Sequence, residues 1–166
     1  KGVDSPKNKS LRGSVQKKPV LTRKNRSKSL EYKIDELFMK LNSQQVPNAK
    51  MAMIRIVFEC TLKWVLDNTK YQDKKLSSYE YFNDAFRTKK GTKKPFTDFA
   101  VLSELFTKLI SELSMKRAFS SFNIDNIQQI IHNDKVSATP SDCDTFVANL
   151  SPLIEFMLQD EGELLK

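Results

Sequence analysis

Glycine and proline are scarce in this chain: four and six among 166 residues, where average usage gives roughly eleven and eight. With many Leu, Lys, Ile and Phe beside them, that scarcity points to helices, and no segment reads as a strand. Histidine occurs once, at His132, and cysteine twice, at Cys60 and Cys143. No CxxC pair and no ligand spacing can be built from them, which argues against structural zinc and leaves no metal site in view. No glycine-rich phosphate loop, internal repeat or nucleophile motif occurs, so neither a cofactor nor a small-molecule substrate is expected. A signal peptide and an uncharged apolar run of membrane-spanning length are also missing. These absences suit the cytoplasm, or the nucleus of a eukaryote, and not a membrane.

What is present is enough apolar residue, 39%, for one core in one domain. The net charge of +8 is unevenly placed. Residues 1–30 carry ten Lys or Arg and one acid, which leaves 18 of the 28 basic and 19 of the 20 acidic residues for positions 31–166. A near-neutral body with a basic arm is expected. The divisions are an arm or linker over 1–28, a helical bundle over 29–160 and a tail over 161–166. The arm has too little apolar surface to offset its ordering entropy alone. It is either a solvated linker or a grip on an acidic partner, with Lys17, Lys18, Arg23, Lys24, Arg26 and Lys28 as the contacts. "KKPVLTRKNRSK" also fits a nuclear-import pattern. The start at Lys1 fits a segment of a longer protein.

From Ser29 onward the pattern is helical. Leu30, Ile34, Leu37, Phe38 and Leu41 share one face. "NAKMAMIRIVFECTLKWVLDNTKY" is apolar nearly all round, as a central helix is, and predicts a buried Trp64. Along it Arg55, Glu59 and Lys63 form a polar stripe at i, i+4, i+8. That stripe is either an exposed edge with ordinary ion pairs or a charged pair lining a cleft or dimer seam. Ser77 and Glu80 have capping-box spacing. A second basic cluster, Arg87, Lys89, Lys90, Lys93 and Lys94, lies in a Gly/Pro-punctuated loop that with the arm could form one electropositive face. Then come a long Phe/Leu-striped helix over 96–119, a short helix capped by Asn123, and a last helix capped by Thr139 with Pro140 in its first turn and a kink at Pro152. The fold class is all-α, a bundle of about five or six helices.

His132 ends the short helix, where the helix dipole favours a cation. Its bland role is to hold the loop leading to Thr139 and Pro140. A catalytic role needs company: Cys143 as a nucleophile with His132 as base, or a cation beside His132 to stabilise a cleaving phosphate. Neither Arg nor Lys lies at 125–131, so the cation would have to be Arg55 or Lys63.

The long apolar helix with an internal charged pair, followed by a short helix carrying Asn-x5-His, resembles the HEPN-type helical bundles. "FECTLKWVL" and "NIQQIIHNDKVSATPSDCDTFVANLSPLIEFM" resemble helical modules attached to larger bacterial nuclease, ParB-like, defence or restriction proteins. The resemblance covers residues 30–158 and is anchored on Arg55, Glu59, Asn126, His132, Asn133 and Pro140. Active members carry an Arg-x4–6-His motif; the matching position here is the uncharged Asn126. The resemblance therefore implies a non-catalytic member; with the charge pattern, the expected function is a module that holds nucleic acid through the arm and the 87–94 loop and assembles through apolar helix faces, as a homodimer or with a partner subunit. The alternative it implies is a metal-independent ribonuclease using His132 with Asn126, Arg55 and Glu59. A protein-interaction domain with an acidic partner is the third possibility.

Overall fold

The computed structural model describes residues 16–71, 73–76, 113–122 and 124–164. Outside them lie residues 1–15, the 77–80 capping box, the 87–94 basic loop, most of the helix expected over 96–119, and the Asn123 cap. The described residues form an all-α bundle, with one very short hairpin as its only sheet.

Helix α1 (Lys28–Asp35) starts at Ser27, whose hydroxyl accepts from the Leu30 amide at 3.1 Å. A capping hydroxyl satisfies one amide that the first turn would otherwise leave orphaned. The expected helical face is buried at Leu30, Ile34, Leu37 and Phe38. Its last turn, Glu36–Lys40, widens to a π-turn closed by the Leu41 amide on the Glu36 carbonyl at 2.9 Å.

Helix α2 (Pro47–Asn68, 22 residues) is the centre of the bundle. Pro47 occupies its first turn, where a missing N–H costs nothing. Met51, Ile54, Val57, Phe58, Leu62, Val65 and Leu66 are buried. Thr61 is also buried, its hydroxyl donating to the Val57 carbonyl at 2.7 Å. Its chief neighbours are α4 (Ile124–His132), α5 (Pro140–Met157) and α1. After α2 the chain makes a two-residue antiparallel hairpin, β1 (Lys70–Tyr71) on β2 (Lys74–Lys75), with Asp73 in the left-handed region at φ 63°. No period-2 pattern can announce strands this short.

Helix α3 (Leu113–Ser121) is tied to α2 and α5 by aromatic rings. Phe58 meets Phe122 edge-on at 4.7 Å and Phe119 at 5.7 Å, and Phe122 meets Phe146 at 6.1 Å. Helix α5 has the expected start. The Thr139 hydroxyl accepts from the Asp142 amide at 3.1 Å, and Asp142 Oδ2 accepts from the Thr139 amide at 3.1 Å. The helix runs unbroken through Pro152. Pro152 and Ala148 both face solvent, so the carbonyl that loses its amide partner there is free to meet water. The segment expected to trail as a tail forms a last turn, α6 (Glu161–Leu164), that buries Leu164.

Candidate functional site

Residues 16–27, assigned by composition to a free arm, run as an extended strap along α5 and the end of α2. Pro19 is buried and Leu21 packs against the core. Gln16 Nε2 donates to the Asp144 carbonyl (2.7 Å), the Val20 amide to Glu155 Oε1 (2.8 Å) and the Arg23 amide to the Leu158 carbonyl (2.7 Å). The signal that could have found this seat is the small apolar run Pro19-Val20-Leu21 in an otherwise polar stretch.

The strap's cations divide into two sets. Arg23 is only 6% exposed; its Nη2 donates to the Asn68 carbonyl (2.7 Å) and Thr69 Oγ1 (3.1 Å). Its guanidinium lies 5.5 Å from the Trp64 ring centroid and 3.7 Å from Glu161. Arg26 pairs with Glu31 at 2.7 Å and also donates to the Arg23 carbonyl, and Lys18 pairs with Asp35. Lys17, Lys24 and Lys28 are exposed. Thus three of the six expected contacts in 16–28 already have acidic partners in the fold, and three face solvent. Arg87, Lys89, Lys90, Lys93 and Lys94 lie outside the described residues.

The strap is imperfectly satisfied. Gln16 Oε1, Arg23 Nη1 and Arg26 Nε are buried without a hydrogen-bond partner, three of five such side-chain atoms among the described residues. Each costs about 1–3 kcal/mol relative to a paired group. Beside Arg23 a cleft of about 480 Å³ opens between Trp64, Asn68 and Glu161. Its two basic residues, Arg23 and Lys24, are balanced by Asp160 and Glu161, so it carries no net field for an anion. Trp64, expected to be buried, is partly exposed here, with Arg23 over its face.

The polar stripe of α2 resolves differently from a simple ladder. Lys63 Nζ donates to Glu59 Oε1 at 2.6 Å, with side-chain exposures of 33% and 25%, an ordinary surface pair. Arg55 is not held by Glu59. Its Nη1 lies 3.3 Å from His132 Nε2 across the α2–α4 seam, and its Nε is buried without a partner. A guanidinium can only donate, so in this contact Nε2 is the acceptor. Among the described residues no carboxylate pairs with Arg55. Of the four residues grouped for catalysis, then, the fold joins Arg55 and His132. Glu59 belongs to Lys63, and Asn126 is exposed about 120° away around α4.

His132 ends α4 as expected, but it does not hold the following loop. Asn133 Oδ1 accepts from the Lys135 amide (3.0 Å), and Asn48 Oδ1 accepts from the Ala138 amide (2.8 Å). The imidazole is exposed, with Arg55 as its partner. The surroundings of Cys143 do not suit a nucleophile. It is fully buried, its thiol donates to the Pro47 carbonyl (3.2 Å), and burial pushes its pKa up to about 11, away from the thiolate. The described residues contain no cluster of metal-ligating side chains, and no helix among them is long and apolar enough to cross a membrane.

Compared with protein-family models, with curated proteins and with solved structures, the chain finds no match in any of the three.

Proposed function

We propose that this chain is a helical module of a larger protein that holds the phosphate backbone of nucleic acid at the Arg55–His132 pair without cutting it. One observation carries the reading: Arg55 is a cation at a helix seam with no carboxylate partner among the described residues, while its nearest acid on the same face, Glu59, is engaged by Lys63. A phosphate oxygen accepts well from such a guanidinium. The exposed Lys17, Lys24 and Lys28 add attraction that is independent of sequence. The resemblance to HEPN-type modules supports the same class, with bacterial defence or nucleic-acid processing as its setting. Tyr32 and Met39, 60% and 61% exposed on the α1 side, offer apolar surface for a second copy or a partner subunit.

Binding without cleavage follows from the chemistry at hand. Strand scission at RNA needs a base for the 2′-hydroxyl and an acid for the leaving oxygen, together with charge stabilisation. One imidazole would have to serve both proton transfers, and Glu59 is already paired. The Arg55–His132 contact nevertheless favours a second reading, a metal-independent ribonuclease, because α2 supplies the cation that α4 lacks.

The test is anisotropy of a labelled 20-nucleotide strand at several salt concentrations, with RNA incubated in EDTA alongside. Arg55→Gln should weaken binding and lower the magnitude of the log K against log salt slope by about 0.7, the value for one phosphate on a single strand. His132→Ala should leave the RNA intact, as wild type does. Unchanged binding in Arg55→Gln overturns the site, and cleavage by wild type that disappears in His132→Ala establishes the ribonuclease.

A further inference from the structure

We propose that residues 16–27 form a latch that masks the strap's own charge, and that a polyanion competes for it. The proposal rests on the reading that the chain binds nucleic acid, and adds how that binding is restrained. In the latched state Lys18, Arg23 and Arg26 face Asp35, Glu161 and Glu31 of the same chain. In the released state Lys18 and Arg23 join Lys17, Lys24 and Lys28 as free cations, while Arg26, on the α1 side of Asn25, keeps Glu31.

Three features make the latch reversible. Its ion pairs are exposed on the acidic side: the carboxylates of Asp35, Glu31 and Glu161 are 41%, 41% and 44% exposed, so water and salt reach them. Its buried polar atoms Gln16 Oε1, Arg23 Nη1 and Arg26 Nε lack partners, a desolvation cost that release removes. Its hinge is preformed: Asn25 sits at φ 57°, a conformation Asn tolerates, and α1 keeps its cap because Ser27 bonds Leu30 and not the strap. Opposing release are the buried Pro19, the seated Leu21 and the Arg23 bonds to Asn68 and Thr69.

A ligand that needs the released state binds with an affinity reduced by the released fraction. Linkage then requires that loosening the latch tightens polyanion binding, and that polyanion loosens the latch by the same factor. The charge of the chain must stay constant in such a test. Thr69→Val removes an acceptor of Arg23, and Leu21→Ala removes the apolar seat; neither changes charge.

The experiment measures hydrogen exchange at the Val20 and Arg23 amides, with and without a 20-nucleotide dT strand, and the affinity for that strand by anisotropy. Either variant should speed exchange at both amides roughly three- to tenfold, the effect of one lost hydrogen bond or a comparable contact. Affinity for the strand should rise by the same factor. The strand should speed the same exchange in wild type. Exchange at these amides only through global unfolding overturns the latch, whatever the strand does. Faster exchange with unchanged or weaker affinity, for the dT strand and for heparin alike, overturns the competition. Arg55→Gln, tested separately, reports on the Arg55–His132 site and stays apart from both outcomes.

Discussion

Phe58→Ala tests how the bundle holds its third helix. Phe58 is 1% exposed and its ring meets Phe122 at 4.7 Å and 87°, and Phe119 at 5.7 Å. Truncating a buried phenylalanine costs about 3–5 kcal/mol from lost transfer energy and the cavity left behind. Each aromatic pair accounts for about 0.5–1.5 kcal/mol beyond area. With two rings lost to their partner, about 4 kcal/mol is expected for the alanine variant. Phe58→Leu refills most of the volume and should cost under about 1.5 kcal/mol if the neighbours close around it. A domain's whole stability is about 5–15 kcal/mol, so the alanine variant should lose a large part of it. Urea unfolding followed by circular dichroism gives the shift, read at unchanged slope. A double-mutant cycle of Phe58→Leu with Phe122→Leu should show coupling of about 0.5–1.5 kcal/mol. A loss below about 1 kcal/mol in Phe58→Ala, or zero coupling in the cycle, refutes the packing of α3 on α2 through these rings.

Four further outcomes are expected. In the native protein a thiol reagent should modify Cys60, which is partly exposed, and spare Cys143, so that one thiol reacts before unfolding and two after. The folded pKa of Cys143 is raised from its ordinary 9.0 to about 11, so the stability linked to it is complete below pH 9 and falls as pH rises through 11; Cys143→Ala should flatten that alkaline decline. Thr139→Ala should cost about 1 kcal/mol at neutral pH. Hydrogen bonds from the Thr139 hydroxyl and amide hold the Asp142 carboxyl below its ordinary 3.8, so their contribution is present above that pH and lost as pH falls through the lowered value. The gap between wild type and Thr139→Ala, followed by thermal unfolding, should therefore narrow in acid. Deleting residues 1–26, which leaves the Ser27 cap in place, should destabilise the bundle by about 1–2 kcal/mol, less than the worth of one fully buried Leu because Leu21 is partly exposed; an unchanged urea midpoint would return the strap to a passive linker.

The helices were legible where the sequence repeats one physical pattern many times. Leu30, Ile34, Leu37 and Phe38 are buried as their spacing demands, and Thr139 and Pro140 start α5 as their chemistry demands. What escaped depends on single long-range partners. Nothing in the local sequence says that Arg23 will reach Asn68 and Thr69, 45 and 46 residues away. Nor does it say that Arg55 will turn from Glu59, one helical turn ahead, to His132, 77 residues on. An i,i+4 carboxylate is a natural partner only until another cation takes it, and Lys63 does. Composition weighed the basic segment as a whole and so missed Pro19 and Leu21, whose burial decides where it lies.

The strap also sets a schedule. Its ties are among the longest-range of the described residues, Gln16 to Asp144 across 128 residues and Val20 to Glu155 across 135. Closing a loop that long costs entropy that local contacts do not, so these ties form after α1 and α2 have found each other. Substitutions in the strap should then speed unfolding and leave the folding rate nearly unchanged. During synthesis the order is stricter still. The seats of Gln16 and of the Val20 and Arg23 amides are missing until α5 has emerged, roughly 7–27 s later at about 5–20 residues per second. For that interval the strap is held only through side chains, Lys18 on Asp35 and Arg23 on Asn68 and Thr69.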